Sequence, residues 1–222
     1  MIIGNGLIAN SLQHIDTEDH LFFASGVSNS LETRCSEFDR EFSLLRNSLE
    51  SNPGSKLFYF STLSIHDQSK QDSQYILHKL NLEDYIRKNA ARYVILRIGN
   101  IVGKGGNPNT LFNFLKNQIK TSTKFNLHSK ARRLLLDIDD IPWFISSRCS
   151  DIHNETINFA YPYYYDLKEI VHVIQEHIRT EADYAESDEG DFYRVDFTET
   201  VTAFFTETSP EKYLKMLAEK YI

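Results

Sequence analysis

The sequence predicts an α/β domain built around a mostly parallel sheet, and three observations lead there. Short apolar runs bounded by polar turns alternate with stretches of helical periodicity. The first apolar run passes at once into a glycine turn that opens a helix. A hydrophobic content of 41% in 222 residues is enough for a sizeable core.

Taken in order, residues 1–3, 20–24, 57–60, 93–96 and 156–159 carry the apolar runs expected of strands. Residues 9–15, 38–49 and 74–88 have the spacing of helices that bury one face. After Gly103 the pattern changes to a helix over 109–119, a strand over 133–138 and a helix over 140–148. This predicts a core of residues 1–103 and 140–160, interleaved with a smaller lobe of residues 104–139 and 161–222. Within the lobe, Leu167, Ile170, Val171 and Ile174 mark a one-sided helix over 166–177, and residues 192–197 alternate like an edge strand. Ser209, Pro210 and Glu211 open the last helix with an N-cap, a proline at the first helical position and an acid in the first turn.

Charge narrows the partners. With 24 basic and 31 acidic residues the formal net charge is −7, and acids gather at Glu181, Asp183, Glu186, Asp188, Glu189 and Asp191. Nucleic acid is not an expected partner. No secretory pattern and no apolar run of membrane-spanning length is seen, so the expectation is a soluble, cytoplasmic protein without a membrane partner. Cys35 and Cys149 stand alone, without zinc-like spacing, and are read as small hydrophobes. Neither a disulfide nor a metal is expected.

Two motifs bear chemistry. Gly4-Asn5-Gly6-Leu7-Ile8-Ala9 follows a strand and opens a helix, the setting in which glycines admit a pyrophosphate to the backbone. The carboxylate that should follow about twenty residues later, to hold a ribose, is absent: the next strand runs into Ser25-Gly26-Val27-Ser28-Asn29. The second motif is Tyr75 and Lys79, one helical turn apart. On one helix face the ammonium lies near the phenol and lowers its pKa, which makes Tyr75 a general acid/base near neutral pH. Chance supplies such pairs, and Tyr164 and Lys168 have the same spacing; lacking a preceding Ser/Thr strand, they are read as an ordinary surface pair.

Several segments in succession resemble the extended short-chain dehydrogenase/reductase family, the NAD-dependent sugar-nucleotide epimerases, dehydratases and reductases. The stretch from Phe22 to Ser28 is similar to that family's fourth-strand loop. Phe58 to Thr62 resembles its fifth strand ending in the catalytic Ser/Thr, and Tyr75 to Lys79 its Tyr-x-x-x-Lys. The segments Leu96 to Gly103, Arg133 to Asp140 and Thr156 to Ala160 follow in family order.

The resemblance implies a truncated Rossmann-like parallel sheet with helices on both faces and a small C-terminal substrate lobe. Its second and third strands are missing, the strand order is 1-4-5-6-7 in family numbering, and residues 1–3 lie at an edge that residues 192–197 are candidates to cover. It implies NAD or NADP as cofactor, held by Gly4, Gly6, Leu7, Ile8, Ala24, Ser25, Gly26, Ser61, Tyr75 and Lys79. Thr62 polarises the substrate oxygen, with Ser61 as the fallback, and Lys79 also reaches the nicotinamide ribose. Asn100 and Arg133 contact a nucleotide-sugar substrate, Arg133 through its diphosphate. A loop His at position 66 is expected to face solvent, and a homodimer is expected to form through the Tyr-Lys helix and the helix before it. Two functions stay open: an enzyme on a nucleotide-linked sugar, or a catalytically inactive accessory or binding protein of a surface-polysaccharide precursor pathway.

Overall fold

The computed structural model describes residues 1–27, 29–190 and 192–222. Ser28 of the loop segment and Asp191 of the acidic group lie outside the described residues. In chain order the elements are β1 (Ile2–Ile3), α1 (Leu7–Ser11), β2 (His20–Phe23), α2 (Cys35–Ser51), β3 (Lys56–Thr62), α3 (Gln74–Asn89), β4 (Tyr93–Ile98), β5 (Asn100–Val102), α4 (Leu111–Lys120), β6 (Phe125–His128), β7 (Arg132–Asp137), α5 (Asp140–Arg148), β8 (Glu155–Phe159), β9 (Tyr164–Asp166), α6 (Leu167–Ile178), β10 (Tyr184–Ser187), α7 (Glu199–Phe204) and α8 (Pro210–Tyr221).

The chain divides into two units, residues 1–98 with 139–159 and residues 99–138 with 160–222. The division falls after Ile98 rather than after Gly103, because β5 pairs with β7 and not with β4.

The first unit holds a five-stranded, all-parallel sheet in the order β1-β2-β3-β4-β8. One face, carrying Leu21, Phe23, Leu57, Tyr59, Tyr93 and Ile95, is covered by Leu45 of α2 and by Leu82 and Ile86 of α3. Phe22, Phe58 and Leu96 point the other way. On that side Phe144 of α5 stacks on Phe159 of β8 at 4.2 Å, and α1 packs against α5. Because both faces are covered, the central strands read as unbroken apolar runs. Each fully buried side chain such as Phe58 contributes about 1.5–3 kcal/mol.

The step from β1 over α1 to β2 moves along the sheet in the same direction as the step from β2 over α2 to β3, but across the opposite face. The two steps therefore have opposite hands, against the strong preference for one hand in βαβ units. That is the topological mark of strands missing between β1 and β2. At the junction Gly4 has φ +129°, and a Cβ there would stand 2.5 Å from the Ala24 carbonyl oxygen. Only glycine fits that close approach.

Among the described residues β1 pairs with β2 alone. Residues 192–197 form no strand, contrary to the expectation of an edge cover. The Val195 N–H donates instead to Tyr164 Oη at 2.7 Å, so the alternating side chains belong to an irregular segment fixed by a side-chain acceptor.

The second unit joins β5 and β7 in parallel and β7 and β9 antiparallel, with β6 and β10 as a separate parallel pair. Helix α6 packs on α4, α8 and β6. It opens with a full capping box between Asp166 and Glu169, and α8 opens on the Ser209 side chain, as its sequence predicts.

Candidate active site

Helix α3 starts where the Ser73 side chain accepts the Ile76 N–H at 3.2 Å, which places Tyr75 in its first turn, beside the carboxyl end of β3. Thr62 closes β3, its hydroxyl near enough to Tyr75 to pull the phenol's pKa down, and its side chain accepts the Ser64 N–H at 3.1 Å. One turn on, Lys79 extends its ammonium beneath the Tyr75 ring, 5.7 Å from the ring centroid. Thr62, Tyr75 and Lys79, chosen from the sequence, therefore meet at one end of the sheet.

The surroundings of Lys79 were not foreseen. Its Nζ lies 2.8 Å from Glu41 Oε1 and 3.2 Å from Tyr59 Oη, with both Lys79 and Glu41 buried. Glu41 is a hub. Its Oε1 also accepts from Tyr59 Oη at 3.1 Å, and its Oε2 takes the Val27 N–H at 2.8 Å and bonds His78 Nε2 at 3.1 Å. One carboxylate thus ties the β2–α2 loop, β3 and α3 together. Burial pushes the Glu41 carboxyl up, but the Lys79 charge and the bonds from His78, Lys79 and Val27 outweigh it and hold the group at about 2. Gly26 closes the cluster: a Cβ there would meet Lys79 Nζ at 2.8 Å and Glu41 Oε1 at 3.1 Å.

These contacts correct the expected electrostatics of Tyr75. Burial, the largest influence, raises its pKa; Lys79 and the Thr62 bond pull it down, Glu41 pushes it up, and the net direction is upward. A lone ammonium beside the phenol would lower it, whereas an ammonium already paired with a carboxylate does so weakly.

Ser61 faces away from Tyr75. Its Oγ donates to Glu83 Oε1 at 2.7 Å, and Glu83 is clasped by Arg97 at 2.6 and 2.9 Å and by Arg87 at 2.7 Å. Strand alternation sends Ser61 and Thr62 to opposite faces, which leaves Thr62 as the hydroxyl beside Tyr75. His66 is half-buried in a 3-10 turn and bonds Asn158 Oδ1 at 3.1 Å, rather than facing solvent from a loop.

Asn100 and Arg133 lie in the second unit on the paired strands β5 and β7. The Asn100 amide donates to the Leu134 carbonyl at 3.2 Å, and Arg133 Nη1 to the Arg132 carbonyl at 2.8 Å. Tyr164 and Lys168 share no helix face, since Tyr164 is in β9 and Lys168 in α6, where it pairs with Glu186 at 2.8 Å. Cys149 is buried and Cys35 exposed, and both are free; burial pushes the Cys149 thiol up to about 12. Among the described residues no group of His, Cys, Asp or Glu is arranged to hold a metal.

No protein-family model and no curated protein sequence matches the chain. Solved structures match its fold. The UDP-N-acetylglucosamine 4-epimerase from Methanobrevibacter ruminantium, in complex with UDP-N-acetylmuramic acid, aligns at TM-score 0.72 and 16% identity over 99% of this chain and 81% of its own. The UDP-glucose 4-epimerase of Thermus thermophilus, complexed with NAD, aligns at 0.67 and 12% over 91% and 77%. RMD from Pseudomonas aeruginosa, complexed with NADPH, aligns at 0.70 and 14% over 91% and 80%. This chain has the fold of the NAD-dependent sugar-nucleotide epimerases and dehydratases. It is a shortened version of that fold.

Two of these neighbours hold a nicotinamide dinucleotide, NAD in one and NADPH in the other. The residues fit such a group at the Tyr75 end, where Gly26 and the Tyr75 ring lie against the Lys79 ammonium, and at the glycine turn, where a Cβ on Gly6 would meet nothing within 4 Å. They provide less for the adenosine end. The tip of β2, from Ala24 to Val27, has no carboxylate, β1 has no strand on its outer side among the described residues, and the Gly4 cradle is filled by the chain's own Ala24 and Ser25 backbone.

Proposed function

We propose that this chain is a nicotinamide-dependent enzyme acting on a sugar carried by a nucleotide, in the epimerase, dehydratase or reductase class. The observation that carries the reading is the meeting of Thr62, Tyr75 and Lys79 at the carboxyl end of β3, where open parallel sheets bind their ligands. NAD or NADP supplies the hydride chemistry when bound. Thr62 and Tyr75 hold the reacting sugar oxygen between two hydroxyls, and Tyr75 Oη exchanges the proton with it. Gly4, Gly6, Leu7, Ile8, Ala24, Ser25 and Gly26 are assigned to the cofactor, Lys79 to its ribose, and Asn100 and Arg133 to the nucleotide sugar.

Titration with NADH and NADPH, followed by thermal shift, tests the reading, since a ligand of the native state raises the melting temperature by mass action. A rise with either cofactor is expected. Tyr75→Phe then keeps that rise and loses turnover on nucleotide sugars; no shift at millimolar concentrations of both cofactors overturns the redox reading.

A second reading, a binding or accessory protein that has lost catalysis, is favoured by the capture of Lys79 by Glu41 and by the sparse adenosine side. In both readings the chain works in the cytoplasm as a homodimer through α2 and α3, where Leu77 is 54% exposed. Sedimentation at micromolar concentration is expected to give twice the chain mass; a monomer refutes the dimer. Among the described residues no helix is long and apolar enough to cross a membrane.

A further inference from the structure

We propose that Glu41 is a positioning residue that holds the Lys79 ammonium in a neutral buried pair, so that Tyr75 rests as a protonated hydrogen-bond donor and meets its ligand as an acid. The inference rests on the assignment of Tyr75 as the proton-transfer group.

The geometry supports it from three sides. Lys79 Nζ is 2.8 Å from a full carboxylate charge, while its approach to Tyr75 is over the ring at 5.7 Å from the centroid. Charge pairing at the shorter distance dominates, because both groups of the pair are withdrawn from water. The pair cannot swing toward the loop, since Gly26 leaves no room there even for a methyl group. Glu41 itself is pinned by Val27 of the loop, Tyr59 of β3 and His78 of α3.

The titratable and charged groups facing this cluster are Lys79 and His78 on α3, Glu41 on α2 and Tyr59 on β3, with Glu83 acting on Tyr59 from further along α3. Of these, only Lys79 favours the phenolate of Tyr75 by a full positive charge close by, and Glu41 offsets part of it. Burial is the largest influence raising the Tyr75 pKa, and Glu41 adds to it against the pull of Lys79. The ligand first held is then one that offers Tyr75 an acceptor oxygen, as the carbonyl of a keto sugar does.

The test needs no ligand and no turnover. Tyrosine labelled with 13C at Cζ is followed from pH 6 to 10.5, with the Tyr75 signal assigned by its loss in Tyr75→Phe. In the unaltered chain Tyr75 is expected to stay protonated to pH 10. In Glu41→Gln the freed ammonium is expected to lower its midpoint at least tenfold in proton concentration. A midpoint below pH 10 in the unaltered chain, or no change in Glu41→Gln, overturns the proposal.

If Glu41→Gln does not fold, the double variant Glu41→Gln with Lys79→Met decides. Removing both charges of a neutral pair leaves Tyr75 protonated at pH 10. Phenolate below pH 10 in that variant means that Glu41 acts by direct repulsion rather than through Lys79, and overturns the proposal as well. A cofactor titration that fails while these midpoints move separates the loss of the redox reading from the loss of this one.

Discussion

Lys79→Met is expected to destabilise the first unit by about 3–5 kcal/mol, the cost of leaving one charge of a buried pair without its partner. Glu41 would then lie buried with bonds from Val27, Tyr59 and His78 but no full positive charge against it. Its carboxyl, now held low at about 2, would take up a proton near neutral pH or draw the structure open. The double variant Glu41→Gln with Lys79→Met is expected to recover most of the loss. The Gln carbonyl oxygen keeps an acceptor for the Val27 N–H, its NH2 can donate to Tyr59 Oη in place of the lost acceptance, and no charge remains to be solvated. Urea unfolding of the three proteins, read by circular dichroism and by Trp143, the single tryptophan, which lies on α5 of the same unit, measures both steps. A cost under about 1 kcal/mol for Lys79→Met would show an ammonium with easy access to water and remove the clamp.

This pair also shows what the sequence disclosed and what it withheld. The Tyr75–Lys79 spacing and the strand ending in Ser61-Thr62 were legible, because a helix turn and a strand end are local and leave periodic marks. Glu41 was not, although its mark is visible in retrospect: it stands three residues after Phe38 and four before Leu45, on the apolar stripe of α2. An acid on such a stripe reads as an interruption until its partner, 38 residues away, is known. Glu83 on α3 is hidden in the same way, since Ser61, Arg87 and Arg97 complete it only in three dimensions.

The central strands were located because both of their faces are buried, although β3 and β4 run on two residues past their expected ends, where Ser61, Thr62 and Arg97 break the apolar run. The short strands β5, β6, β9 and β10 escaped, since three or four residues with polar side chains at alternate positions carry little pattern. Residues 192–197 failed in the opposite sense: their alternation was present, but the backbone bond of Val195 went to Tyr164 rather than to a neighbouring strand. Tyr164 and Lys168 make the same point about motifs. Their spacing equals that of Tyr75 and Lys79, and a strand-to-helix boundary between them separates the two side chains.

Acid is expected to unfold the first unit through Glu41, with a sign that follows from its depressed pKa. The carboxyl titrates near 4.5 when free and at about 2 in the folded chain, so the folded state binds fewer protons between those values. The resulting stability is fully present above about pH 4.5 and is lost as the pH falls toward 2. At about 1.4 kcal/mol per tenfold, the interval is worth about 3 kcal/mol. Glu83, also lowered because the bonds and charges of Arg97, Ser61 and Arg87 outweigh its burial, adds loss in the same direction. Unfolding midpoints in urea are therefore expected to fall steeply from about pH 4.5 toward pH 2. In Glu41→Gln the whole curve starts lower, because Lys79 is left unpaired, but it descends less steeply, because one of the protons taken up on unfolding is gone. Equal slopes in the two proteins would place the acid-sensitive carboxylate elsewhere, and would mean that Glu41 keeps an ordinary affinity for its proton despite its buried bonds and an ammonium 2.8 Å away.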